Sequence, residues 1–153
     1  MSDDPIAYDW DQFEEYCKLL AEKIDLSKGA AIAVLMTSSE DGVYISRMLE
    51  HFKNEVPFEL NYESVGKGVN ATFELIGPFP PGLNNRLVYL VSGAAFYGRK
   101  LRQAAKDLQD HGSKVLFVVI HCFRESKIKP HIHLFEVEGK IRDILHPWDN
   151  NKG

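Results

Sequence analysis

The chain has 153 residues, with 18 Lys and Arg against 22 Asp and Glu, so its formal net charge is −4 with neutral histidines. Its 44% hydrophobic content and low net charge exclude disorder for most of the chain, and its length is typical of one domain over residues 1–153. No run approaches the roughly 18 apolar residues that a membrane span needs. The acidic first five residues do not resemble a signal peptide. Two cysteines, Cys17 and Cys122, form no disulfide framework and favour a reducing, cytoplasmic setting.

The first third of the chain predicts two helices around a buried strand. Apolar residues recur every three or four positions from Trp10 to Ile24, as in an amphipathic helix, and Asp9 with Gln12 resembles a capping box. A short continuous apolar run then suits a strand that is buried on both faces. The predicted elements are a helix over 9–24, a strand over 30–36, a polar loop over 37–42 and a helix over 43–53.

The rest of the chain predicts further strands and one strand–loop–helix–strand unit. Such a unit connects parallel strands by a right-handed crossover. Its loop is made of small residues, and Gly112 ends its helix. The predicted elements are strands over 57–64 and 71–76, a strand over 86–91 with its loop over 92–98, a strand over 115–120, and an edge strand over 131–137.

This order of elements predicts an α/β fold with a central, mostly parallel sheet flanked by helices. Ligands of such sheets bind outside the carboxyl ends of the strands, where the strand order switches direction. The loops 37–42 and 92–98 are therefore the expected functional loops.

Four segments of the chain together resemble a known family. They are Tyr8-Asp9-Trp10-Asp11 with its helix, the strand 31–36 followed by Gly42, Arg47 and Leu49, the segment 86–100, and Pro147-Trp148-Asp149. Their order and spacing resemble a type I phosphoribosyltransferase of the bacterial xanthine-guanine (6-oxopurine) kind over nearly the whole chain. The resemblance implies that family's fold with a small C-terminal hood, a homo-oligomer, and synthesis of a nucleotide from phosphoribosyl pyrophosphate and a 6-oxopurine base.

The chain departs from the family's pattern in the loop that binds phosphoribosyl pyrophosphate. Two adjacent carboxylates of the family correspond here to Ser92 and Gly93, which carry no charge, and of the Thr-Gly-x-Thr stretch only Gly98 fits. We therefore expect a degenerate phosphate- or nucleotide-binding loop. Its residues are Ser92, Gly93, Ala94, Ala95, Phe96, Tyr97, Gly98, Arg99 and Lys100.

The pyrophosphate loop and the base site also lack residues of the family pattern. Thr37, Ser38 and Ser39 stand where the family places a cation and a glycine, and the carboxylates of Glu40 and Asp41 would repel a leaving pyrophosphate. In the base pocket that the resemblance implies, Phe123 falls near the position of a family lysine. Trp148 either stacks on a base or anchors the tail to the core.

These departures predict a phosphoribosyltransferase-fold protein without catalytic residues or a cofactor, acting as a nucleotide-binding, protein-interaction or regulatory module. The helix that starts at Gly98 could bind a phosphate through its free N–H groups, helped by Arg99 and Lys100, although both could equally form a solvated surface.

Two alternatives stay open. One is an active, magnesium-dependent purine phosphoribosyltransferase whose carboxylates come from Glu40 and Asp41. The other is an RNA-binding regulator, which the acidic net charge opposes and the cations Arg99, Lys100, Arg102 and Lys106 on one helix favour.

The chain also contains a small group of histidines. His131 and His133 share one strand face, and His121 and Cys122 end a neighbouring strand. Zinc accepts such ligands, but the ligand spacing of a zinc site is missing. We therefore expect ordinary edge-strand histidines, no metal, and a buried, unreactive Cys122.

Overall fold

The computed structural model describes residues 6–36, 41–95, 98–124, 126, 129–138 and 144–148. Among the predicted site residues, Thr37, Ser38 and Ser39 of the pyrophosphate loop lie outside the described residues, as do Phe96 and Tyr97.

A six-stranded sheet forms the centre of the molecule. Its strands are β2 (Ala31–Met36), β3 (Phe58–Val65), β4 (Thr72–Leu75), β5 (Leu87–Ala95), β6 (Lys114–Phe123) and β7 (Ile132–Val137), and a short β1 (Ile6–Ala7) and β8 (Ile144–Leu145) pair separately. The strands of the sheet lie in the order β4-β3-β2-β5-β6-β7. All neighbouring strands are parallel except β3 and β4, which form an antiparallel hairpin. This arrangement confirms the predicted α/β class with a mostly parallel sheet.

Helices cover both faces of the sheet. On one face pack α1 (Trp10–Lys23) and α2 (Asp41–Lys53), and on the other packs α3 (Arg99–Asp110). Strand β2 shows why its apolar run is continuous: Ile32 and Val34 join the core under α1 and α2, whereas Ala33 and Leu35 join the core under α3. A central parallel strand has no solvent face, so every side chain must be apolar.

The first helix starts as its sequence predicts. The Asp9 carboxylate accepts the Gln12 backbone N–H at 2.8 Å, and the Gln12 side chain accepts the Asp9 N–H at 2.9 Å. The capping box is therefore confirmed. The predicted inner stripe is buried at Phe13, Cys17 and Leu20, whereas Trp10 at its start remains 40% exposed.

Three boundaries of the predicted elements differ by two residues or more from those observed, all at the carboxyl edge of the sheet. Strand β5 continues through Ala95 and β6 through Phe123, because Ser92 pairs with Val119 and Ala95 with Cys122. The segment 92–95 is thus strand and not loop, since pairing with β6 overrides the weak strand preference of small residues. Helix α2 begins at Asp41, two residues before its predicted start.

The strands β1 and β8 join two segments that are distant in the sequence. Ile6 pairs with Ile144 and Ala7 with Leu145, and the Tyr8 hydroxyl hydrogen-bonds the His146 ring. This pair forms the small hood over one end of the sheet. None of the helices in the described ranges is long and apolar enough to cross a membrane.

Gly42 allows α2 to start directly against the end of β2. A Cβ atom at this position would lie 2.9 Å from the Leu35 carbonyl oxygen and 3.2 Å from the Met36 Cα, both of them backbone atoms. We expect Gly42→Ala to lower the free energy of unfolding by about 1 to 3 kcal/mol through overpacking, despite alanine's better helix propensity. Urea denaturation measures this change.

Glu50→Ala is the control for this prediction, because it places alanine on the exposed side of the same helix. We expect it to stay within about 0.5 kcal/mol of the parent chain. Equal stabilities for the two variants would contradict the close packing at Gly42.

Candidate functional site

The strand order places the candidate site between β2 and β5. The chain leaves β2 for β3 on one side and later returns to β5 on the other, so the order reverses there. Ligands of open α/β sheets bind at such a switch point. The described residues at this edge come from the start of α2 and the end of β5.

At the switch point a carboxylate fills the space beside a glycine. A Cβ atom built on Gly93 would lie 2.5 Å from Asp41 Oδ2 and 3.3 Å from its Cγ. No side chain fits at position 93 unless Asp41 moves away. The Asp41 carboxylate therefore occupies the space that a side chain at the end of β5 would need.

Asp41 is held at this position by its surroundings. It is 9% exposed, and its Oδ1 accepts the Gly42 backbone N–H at 2.7 Å. Ser92, which precedes Gly93 at the end of β5, is also buried, with 4% of its surface exposed. The described end of β5 therefore meets one carboxylate, which α2 supplies, and itself contributes none.

Beyond β5, the helix α3 begins at Gly98. Its φ of 75° is left-handed, which favours glycine, and glycine offers no side chain to cap the first N–H groups. The Arg99 guanidinium donates to the Ala71 carbonyl oxygen and lies 5.2 Å from the Phe73 ring centre, and the Lys100 ammonium lies 5.5 Å from that centre. The two predicted cations therefore contact the β3–β4 hairpin.

The two residues of the predicted base pocket are buried. Phe123 is fully buried and Trp148 is 3% exposed. The Trp148 ring lies 4.6 Å from the His146 ring and 5.1 Å from the Tyr44 ring, stacked on both. These contacts favour the interpretation of Trp148 as the anchor of the tail, and a base could stack on it only after a neighbouring ring moves.

His121 lies buried among these aromatic rings. It is 2% exposed, its ring lies 5.5 Å from that of Phe135 and 5.7 Å from that of Tyr8, and its Nδ1 has no hydrogen-bond partner within the described part of the chain. Burial lowers the pKa of His121 to about 4, with a smaller contribution from the charge of His146. The imidazole is therefore neutral at physiological pH.

The remaining histidines and Cys122 do not come together around a metal position. His131 Nδ1 accepts the Phe117 backbone N–H at 2.9 Å, and His121 lies opposite Phe135, not opposite His133. Within the described ranges, no three His, Cys, Asp or Glu side chains could hold a metal ion. Burial also raises the pKa of the Cys122 thiol, which opposes a role as nucleophile.

A magnesium ion would prefer carboxylate oxygens. At the switch point the described chain offers the carboxylate of Asp41, and the end of β5 has Ser92 and Gly93, which carry none. The described residues therefore do not fit a magnesium site built on β5.

Sequence reasoning missed two parts of the site. It did not place the β3–β4 hairpin beside Arg99, and it did not join Tyr8 to His146. Both are long-range contacts, across 28 and 138 positions of the chain. The only sequence signal was the glycine-flanked loop before β4, which indicates a turn but not its neighbour.

Comparisons with protein-family models and with curated proteins find no match, whereas many solved structures are similar. A purine phosphoribosyltransferase from Pyrococcus horikoshii has a TM-score of 0.75 at 17% identity, covering 94% of this chain and 93% of its own. The xanthine-guanine-hypoxanthine phosphoribosyltransferase of Helicobacter pylori has a TM-score of 0.71 at 17% identity, covering 96% and 95%. The chain has a type I phosphoribosyltransferase fold.

A third similar structure is a hypothetical protein from Neisseria gonorrhoeae with bound ppGpp. Its TM-score is 0.70 at 22% identity, covering 97% of this chain and 91% of its own. At such identities the likeness establishes the fold and leaves the activity to be argued from the site. The predicted resemblance to purine phosphoribosyltransferases is thus confirmed for the fold.

The buried neutral His121 predicts a specific dependence of stability on pH. In the unfolded chain its pKa returns to about 6.5, so below that pH the unfolded state binds a proton that the folded state does not. Stability should therefore fall by about 2 kcal/mol from pH 7 to pH 5 through this group alone. The loss should level off below pH 4, the approximate folded-state pKa.

His121→Phe keeps a ring in the aromatic cluster and removes the titrating group. The difference between the unfolding free energies of the parent chain and this variant, taken at each pH, gives the contribution of His121, because the carboxylates contribute equally to both. The same pH slope in both chains would contradict a buried, neutral His121.

Proposed function

We propose that this chain is a non-catalytic phosphoribosyltransferase-fold protein that binds a nucleotide or another phosphorylated ligand at the carboxyl edge of its sheet. The observation that carries the proposal is the contact between Asp41 and Gly93. The family pattern needs a carboxylate pair at the end of β5, and here the residues are Ser92 and Gly93, with the space beside Gly93 filled.

The charge of Asp41 supports the loss of the parental reaction. Its carboxylate is buried at the start of α2, directly after the segment that corresponds to the pyrophosphate loop. Transfer of a ribosyl group from phosphoribosyl pyrophosphate requires stabilisation of the leaving pyrophosphate, which is strongly anionic. A buried carboxylate beside that position destabilises the developing charge.

Other features support retained binding of a phosphate group. The uncapped N–H groups at the start of α3 and the positive end of its dipole attract anions, and Arg99 and Lys100 lie in the same turn. One protein of similar fold was solved with ppGpp, a guanine nucleotide. A nucleotide ligand also agrees with the purine enzymes among the similar structures.

An active purine phosphoribosyltransferase is the second candidate, and one observation favours it. A carboxylate does lie at the end of β5, although Asp41 supplies it from α2. In such an enzyme Asp41 would stabilise the positive charge that develops on the ribose. The two candidates differ in turnover and in the effect of Asp41→Asn.

Turnover is tested by incubating the protein with phosphoribosyl pyrophosphate, Mg²⁺ and guanine, xanthine or hypoxanthine. We expect no nucleotide or pyrophosphate above the protein-free blank, because β5 supplies no carboxylate. Turnover by the parent chain that Asp41→Asn abolishes would overturn the proposal in favour of the second candidate. Product no higher than the protein-free blank, for both the parent chain and Asp41→Asn, supports the proposal.

Binding is tested by thermal unfolding with GMP, IMP and phosphoribosyl pyrophosphate. A ligand present at about 100 times its dissociation constant stabilises the folded state by about 2.7 kcal/mol, which raises the melting temperature by several degrees. We expect Arg99→Ala with Lys100→Ala to reduce this increase. Lys18→Gln with Lys114→Gln removes the same charge elsewhere and should not reduce it.

The absence of any stabilisation would exclude the nucleotide-binding part of the proposal and leave a protein-interaction or regulatory role. Self-association, which the family resemblance implies, is read from light scattering of the same samples.

A further inference from the structure

A cavity of about 390 Å³ lies between the outer side of α3 and the start of β4. We name it the α3 cavity. Three of its lining residues are cations spaced along one side of the helix, and an amide and three consecutive residues of the hairpin complete its described walls. These seven residues are Arg99, Arg102, Lys106, Gln103, Ala71, Thr72 and Phe73.

The cations of the α3 cavity have no acidic partner among the residues that the structure describes. None of Arg99, Arg102 and Lys106 forms an ion pair with a described carboxylate. The acidic side chain nearest in sequence, Asp107, has both oxygens engaged: Oδ2 accepts the Tyr62 hydroxyl at 2.6 Å and Oδ1 accepts the Gln103 amide at 3.0 Å. Three positive charges therefore face one open cavity, although the whole chain has a net charge of −4.

The spacing of these cations limits the ligands that could bind all of them. Residues three or four positions apart on a helix are neighbours, about 5 to 6 Å apart, so one phosphate group can contact Arg99 with Arg102, or Arg102 with Lys106. Arg99 and Lys106 are seven positions apart, which corresponds to about 10 Å along the axis. With the Arg99 guanidinium held at the Ala71 carbonyl oxygen, a chain of phosphates contacts both ends of this row more readily than a single phosphate does.

We propose that the α3 cavity binds an oligophosphate chain, either free or attached to a nucleoside. Arginine forks hold phosphate oxygens in pairs, lysine contributes a point charge, and the Gln103 amide and Thr72 hydroxyl supply further polar groups. The inference rests on the proposed function, because Arg99 belongs to both sites. It adds Arg102 and Lys106, to which the proposed function gives no role.

The test compares binding of orthophosphate, pyrophosphate and tripolyphosphate to the full chain by isothermal titration calorimetry at low salt. Because more cations are engaged as the chain lengthens, we expect tripolyphosphate to bind at least about tenfold more tightly than orthophosphate. The affinity should fall steeply with added salt. Equal affinity for the three anions would overturn the proposal.

Variants locate the site on the helix. Lys106→Gln and Arg102→Gln should each weaken tripolyphosphate binding by about tenfold, the loss expected for one charge-assisted contact. Lys114→Gln removes one exposed cation from the start of β6, at the opposite edge of the sheet, and should leave the affinity unchanged. Equal losses with Lys114→Gln would show that only net charge matters and would overturn the site.

Binding of ATP and of GMP tests the α3 cavity and the proposed function separately. Stronger binding of ATP than of tripolyphosphate identifies a nucleoside-bearing ligand, equal binding identifies the phosphate chain alone, and both outcomes support the proposal. Lys106→Gln should leave GMP binding unchanged. If the parent chain binds tripolyphosphate but not GMP, only the proposed function is overturned. If it binds a single-stranded RNA tightly but not tripolyphosphate, the oligophosphate site is overturned.

Discussion

Burial of the central strands on both faces is the constraint on which the rest of this structure depends. Strand β2 sends alternate side chains into two separate cores, and β5 lies beside it under the same helices. Polar groups that cannot pair are costly in such an interior. The buried polar side chains of Asp41 and Ser92 accordingly lie near the edge where these strands end, and at that edge the helices α2 and α3 begin.

The same constraint explains why small residues matter at the candidate site. Gly42 and Gly93 let α2 start in contact with the ends of β2 and β5, which brings the Asp41 carboxylate into the switch point. At this edge the packing is therefore close, and the Asp41 carboxylate occupies the space beside Gly93.

Much of the fold could be predicted from the sequence because local patterns determine it. The capping box at Asp9, the continuous apolar run of β2 and the strand–helix–strand unit around α3 each follow from short-range rules. The ends of β5 and β6 could not be predicted, since Ser92 to Ala95 have weak strand preference and become strand by pairing with β6.

The location of the candidate site stays a prediction, and the contacts within it could not be predicted. The order of elements predicts a site at the loops after β2 and β5. The sequence also shows Ser92 and Gly93 at the positions where the family pattern has carboxylates. The contact of Asp41 with Gly93, and of Arg99 with the β3–β4 hairpin, depends on how distant segments pack. No local pattern encodes those contacts.

The pairing of β1 with β8 has a consequence for the order in which the molecule assembles. Tyr8 and His146 are 138 positions apart, so their contact closes nearly the whole chain into one loop. Closing so long a loop costs more entropy than any neighbouring contact in the sheet, and long-range pairing is correspondingly slow. The hood, with Trp148 stacked inside it, is therefore expected to be the last part of the molecule to form and the first to open.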